Sequence, residues 1–127
     1  GIGTEWVVDD LFKVKIDSVV EIKERNEDLD INPSQVIIIT YTYENLGLED
    51  GLMIEPFTIV DEEGNEASKY VMELDSYPEL ISVGSEKIKA QQAYALNSDS
   101  STIDLDFYVV TDPLEVHRAT FNVSVSK

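Results

Sequence analysis

Of the residue types able to do chemistry, this chain is rich in carboxylates and poor in imidazole and thiol: it holds 26 Asp and Glu, one His and no Cys. The single imidazole, His117, opens the last strand-like run. A Ser-His-Asp relay needs an oriented base beside an activated hydroxyl. Ser and Asp are so common here that a chance pairing says little, and no G-x-S-x-G elbow occurs. His117 therefore reads as an exposed strand-end residue. Carboxylate pairs raise glycoside hydrolysis, which needs one carboxyl of raised pKa across a cleft from a second. Asp104 and Asp106 fall on one expected outer face, where like charges stay solvated. A sandwich with tight turns also leaves little room for a sugar. Calcium binds clustered loop carboxylates and carbonyls, and the candidate stretches are Asp9-Asp10, Asn26 to Asp30, Glu49-Asp50 and Asp61 to Asn65. The last lacks the spacing of an EF-hand loop, and all four read as solvated turns. Zinc and transition metals are disfavoured by one His and no Cys. No phosphate-cradling glycine pattern is present. The sequence thus assigns no catalytic, cofactor-binding or metal-ligating residue.

Charge sharpens the exclusion. Nine Lys and Arg against 26 acids give a formal net charge of −17. That field repels phosphate backbones and anionic headgroups over roughly 8 Å at physiological salt. With no basic stripe to offset it, nucleic-acid binding is disfavoured. The remaining partners are cations, basic proteins or a cell-wall component.

The elements that position these residues read as strands throughout. Gln35 to Asn45 is the most strand-like run, β-branched or aromatic at nearly every position. Its apolar character on both faces places it centrally, with a neighbour on each side. Leu11 to Arg25 alternates: Phe12, Val14, Ile16, Ser18, Val20 and Ile22 share one face, with Val19 the exception and a bulge expected near Asp17-Ser18. Leu52 to Val60 is a strand whose Pro56 implies an edge or a bulge. Asp61 to Asn65 is a hairpin-type turn with Gly64 at φ > 0, and the chain returns through Ser68 to Leu74. Asp75 to Ser85 is irregular, with a brief helical turn at Pro78 to Ile81. Lys87 to Leu96 puts Ile88, Ala90, Tyr94 and Leu96 on one face. Thr102 to Val110 turns Ile103, Leu105, Phe107 and Val109 inward and Asp104, Asp106 and Tyr108 outward. Val116 to Ser126 gathers Ala119, Phe121, Val123 and Val125 on one face. Trp6, in a short first strand at Thr4 to Asp9, is expected to pack over a sheet end. Among the tyrosines, Tyr108 faces outward and Tyr70 and Tyr77 flank the irregular segment. Exposed tyrosines suit protein or glycan recognition, but for any single one core or edge packing is the expected role. About seven or eight strands with no convincing helix make an all-β antiparallel sandwich, one domain over 1–127.

The order of features carries a resemblance. Trp6-Val7-Val8 precedes Phe12 to Ile16; Val36 to Asn45 ends in Tyr-Thr-Tyr-Glu-Asn-Leu-Gly; Pro56 to Asp61 leads into Glu63-Gly64-Asn65; Val83-Gly84-Ser85 precedes the strand with Ala93 to Leu96. This resembles the immunoglobulin-like domains of unknown function in secreted lipoproteins of Gram-positive bacteria, similar in fold to the mycobacterial immunoprotective extracellular antigen. The resemblance implies an immunoglobulin-like β-sandwich outside the cytoplasmic membrane, at the cell surface, held by a lipid anchor outside this chain. It brings no catalytic or binding residues. The opening Gly1-Ile2-Gly3, without an initiator Met, is expected to follow a removed upstream segment. The expected function is a non-enzymatic extracellular or cell-envelope binding or accessory domain. A calcium-dependent structural module and a carboxylate hydrolase are the alternatives.

Overall fold

The computed structural model describes residues 1–127. Eight strands form it: β1 (Glu5–Val8), β2 (Phe12–Ile22), β3 (Gln35–Asn45), β4 (Pro56–Val60), β5 (Ser68–Lys69), β6 (Glu86–Leu96), β7 (Thr102–Thr111) and β8 (Glu115–Ser124). They make two antiparallel sheets, one of order β1-β2-β3-β6-β5 and one of order β4-β7-β8. There is no helix.

β3 occupies the centre of the larger sheet, between β2 and β6, over the residues the sequence marks. Its inner face supplies Ile37, Ile39, Tyr41 and Tyr43 to the main core, against Ile59, Ile103, Leu105, Phe107 and Val123 of the smaller sheet. Its outer face is covered as well. Val36 joins Ala93, Ala95 and Tyr70 in a second small cluster under the chain around Leu29, Met72 and Leu74. The run is apolar on both faces because it is buried on both.

Two bulges break the simple alternation. At Asp17 the ladder slips one residue, so Ile16 pairs with Tyr41 and Ser18 with Thr40. The Asp17 carboxylate accepts the Thr42 hydroxyl at 2.7 Å, which gives the extra residue a polar reason to stay on the surface. Beyond it the faces exchange: Val19 is buried and Val20 exposed, the reverse of the expected phase. The second bulge lies where Tyr41 pairs with Ala90 and Tyr43 with Lys87, leaving Ile88 and Lys89 opposite Thr42 alone. Lys89 adopts a φ of 54° and donates its N–H to the Thr42 hydroxyl. Ile88, expected inside, is turned out to solvent.

Three other expectations are corrected. The strand anticipated from Leu52 is only Pro56–Val60, an edge strand with a bulge at its proline end; Leu52 makes an isolated bridge to Ile81 instead. After the turn at Gly64 (φ 85°) the chain brackets β4 through Glu66 and Ala67. It then crosses to the other sheet, where only Ser68 and Lys69 pair with β6. No helical turn forms at Pro78 to Ile81. The Tyr43 hydroxyl accepts the Glu79 N–H at 2.8 Å and donates to the Glu79 carbonyl, taking both backbone groups a helical turn would use.

Candidate functional site

A cleft opens at the end of the sandwich where three connections meet. These are the β1–β2 turn, the β3–β4 loop and the tip of the β7–β8 hairpin. Its volume is about 520 Å³. Leu11, Leu48, Val110 and Leu114 supply apolar lining, and every ionisable group on it is acidic: Glu49, Asp50 and Asp112.

Local chemistry holds these walls. Asn45 is fully buried at the end of β3, where its side-chain amide donates to the carbonyls of Leu48 and Ile81, and its side-chain oxygen accepts the Leu48 N–H at 2.8 Å. That clamp folds the β3–β4 loop back under the cleft. The Leu46 and Gly47 N–H groups both donate to the Leu11 carbonyl, stitching the loop to the first turn. Gly47 is required by close approach: a Cβ there would stand 2.1 Å from the Asp10 carbonyl oxygen. Gly47→Ala is therefore expected to destabilise the protein by about 1–3 kcal/mol and to disturb the cleft first. Amide exchange of residues 46–51 rising before that of the β3 interior would show it; uniform exchange with an unchanged melt would count against it.

The hairpin tip adds an unusual element. Leu114 adopts a φ of 35°, a backbone region that branched side chains rarely enter. Its side chain is 88% exposed, beside the half-exposed Val110 and Val116. Next along the same outer face, Phe57 and Tyr108 stack at a ring separation of 4.9 Å, over a polar knot. In that knot Asp106 accepts from Arg118 Nε at 3.0 Å and Nη2 at 2.5 Å, from Thr58 at 3.3 Å and from the Thr120 hydroxyl. Asp106 does share the outer face with Asp104, as expected, but it is buried and not solvated.

The stretches considered for chemistry are dispersed: Glu49-Asp50 lines the cleft, and several of the others are held by hydrogen bonds of the fold. His117 is half-buried, with its Nε2 2.8 Å from the Thr111 hydroxyl and its ring edge-on to Phe12; it is not the exposed residue expected. No three carboxylate or imidazole groups gather to hold one ion. Asn26 is bound by the Tyr70 hydroxyl and the Val71 carbonyl. Asp61 is buried at its turn, one carboxylate oxygen accepting the N–H groups of Glu63 and Asn65. Burial pushes its pKa up, but those donors, the Gly64 N–H and the Ser98 hydroxyl outweigh the cost and hold it below the usual range. In Asp106, too, burial opposes, and hydrogen bonds from Arg118 and Thr120 win. Hydrogen bonds from Lys23 and Gln35 bring Glu21 down to about 2. All three shifts favour the ionised form, the opposite of what a general acid needs.

Compared with known protein families, curated proteins and solved structures, the chain matches none of them.

Proposed function

We propose that this protein is a non-enzymatic binding module of immunoglobulin-like architecture, acting outside the cytoplasmic membrane. Its end cleft takes a basic, apolar-tipped segment of a partner protein. The observation that carries the reading is the cleft itself: aliphatic lining, only acidic ionisable groups, and one strained, exposed leucine at its lip. An apolar side chain of the partner would fill the lining. Flanking Lys or Arg would meet Glu49, Asp50 and Asp112, within an overall field of −17 that steers cations inward.

Strand order supports the architecture. With β1 set aside as an added edge strand, β2-β3-β6-β5 against β4-β7-β8 has the A-B-E-D and C-F-G order of constant-type immunoglobulin domains. A parallel bridge from Val20 to Ser126 ties the first of those strands to the end of the last. In variable immunoglobulin domains the B–C and F–G loops at one end form the recognition surface, and the cleft lies among the loops at the equivalent places here, β3–β4 and β7–β8. The location outside the membrane follows from the resemblance alone, as does the lipid anchor outside this chain.

A short peptide of alternating Leu and Lys is the probe. Titration followed by amide chemical shifts is expected to perturb residues 47–51 and 110–114, with affinity falling as salt rises. The double variant Glu49→Lys, Asp112→Lys should bind about tenfold more weakly or worse, a change of about 1.4 kcal/mol. Absence of shifts in those two segments, or binding indifferent to the charge reversal, would sink the proposal.

A further inference from the structure

Four of the free strand edges in this molecule are short or covered. β1 has four residues and β5 two. The outer edge of β4 is bracketed by the Val60–Glu66 bridge and by the Ala67 N–H donating to Ile59. The second half of β2 is capped by Ser126, whose N–H donates to Val19 and whose carbonyl accepts from Glu21. β8 is different. It runs ten residues as the outermost strand of its sheet, paired with β7 in unbroken register from Thr102–Ser124 to Thr111–Glu115. Beyond that ladder, no backbone group of residues 115–124 takes part in a backbone hydrogen bond. Of the devices that protect edges, the strand has no Pro, no Lys and no bulge, and its only charges are Glu115 and Arg118.

We propose that the free edge of β8 is a strand-pairing site for a second copy of this chain, joining two three-stranded sheets into one of six strands. Charge selects the occupant. In a chain of net charge −17, β8 carries one Glu and one Arg and is neutral. The rest of the chain carries 25 acidic residues against eight Lys and Arg, so two copies meet with less repulsion here than over its average surface. Antiparallel pairing about a two-fold axis keeps matching faces together, so opposed residue numbers sum to an even value. An axis at Arg118 would oppose two guanidinium groups. An axis at Thr120 opposes Thr120 to itself, Arg118 to Asn122 and Val116 to Ser124 on the outer face, and Ala119 to Phe121 on the inner. Every one of these pairs is compatible, and Thr–Thr is a favourable cross-strand pair.

The site is separate from the end cleft, and salt distinguishes the two. Salt weakens capture of a basic peptide, whereas it screens the repulsion between two acidic copies and strengthens pairing. Sedimentation velocity from micromolar to millimolar protein should show a monomer–dimer equilibrium that shifts toward dimer as ionic strength rises. Among residues 116–124, the alternate amides that point away from β7 should gain exchange protection with protein concentration. Asn122→Lys, which faces Arg118 across the axis and can still meet Asp104 on its own sheet, should weaken the dimer about tenfold while leaving the circular dichroism spectrum unchanged. A monomer under all conditions overturns the proposal. So does a dimer whose β8 amides gain no protection, because a different surface would then be pairing.

Discussion

Phe107→Ala should lower the stability of this protein by about 3–5 kcal/mol, a large part of the 5–15 kcal/mol that a domain of this kind holds in total. Phe107 is fully buried on β7, and it is where the two sheets meet through aromatic rings. From the smaller sheet it contacts Phe121 of β8, with centroids 6.1 Å apart. From the larger sheet it meets Tyr41 at 5.8 Å and Trp6 at 6.5 Å. Removing the ring loses its transfer energy and leaves a cavity walled by rings that cannot collapse into it. Tyr41 is fixed by its hydroxyl donating to the Ile54 carbonyl at 2.6 Å, and Trp6 is pinned edge-on to Phe12 at 5.0 Å. Denaturant unfolding followed by fluorescence reads this directly, since Trp6 is the only tryptophan and lies against the altered site. The midpoint should fall with little change in slope, and Phe107→Leu should cost less, about 1–2 kcal/mol, because most of the volume stays filled. A loss under 1 kcal/mol for the alanine variant would mean that the aromatic junction does not couple the sheets.

Trp6 also marks how far the sequence could be read. Its packing over a sheet end follows from one large ring on a short edge strand, and it is found at such a place. The central position of Gln35–Asn45 was legible because no edge strand tolerates that many apolar residues. The bulge at Asp17 was legible as a fault in the alternation, but its consequence was not. A bulge inverts every side chain beyond it, and only the pairing partner tells which residue is the extra one. Val19 and Val20 exchange faces for that reason, and Ile88 is turned out by the bulge opposite Thr42, which has no sequence mark of its own. The cleft was the least legible feature. Its lining comes from Leu11, residues 47–51 and residues 110–114, segments that only the sheet order brings to one end. The two glycines bounding the loop after β3 were visible, but not that Gly47 is needed for close approach to Asp10. Asn45 gave no signal beyond ending a strand. Asp106 was placed on the correct face and misjudged as solvated, because the covering Arg118 and Thr120 stand on the next strand and match it only once the hairpin register is known.

That same knot contributes to the response to acid. Asp106, Asp61 and Glu21 are each held below the usual carboxylate range in the folded chain. A carboxyl of depressed folded-state pKa binds fewer protons folded than unfolded, so its stabilisation is complete above the unfolded value and is lost as pH falls toward the folded one. For Glu21 the window runs from its ordinary 4.5 down to about 2; for the two aspartates it opens below 3.8. Stability should therefore change little through these groups above pH 5 and drop steeply below pH 4. One carboxyl held about two pH units low is worth about 2.6 kcal/mol. Exposure of the paired Lys23 discounts that figure for Glu21, and Asp61 and Asp106 add to the loss in the same direction, so Tm should fall by several degrees between about pH 5 and about pH 2.5. Three groups at three places in the fold act together in this limb. Glu21 is tied through Gln35 to the backbone of Ser100. Asp61 closes the turn after β4, and Asp106 clasps β4, β7 and β8. Thermal melts from pH 2 to 7 at constant ionic strength measure it, and Asp106→Asn should both lower Tm at pH 7 and flatten the acid limb. A limb of unchanged steepness in that variant would show that the Arg118–Asp106 pairing contributes nothing to folding and that the other two carboxylates carry the whole effect.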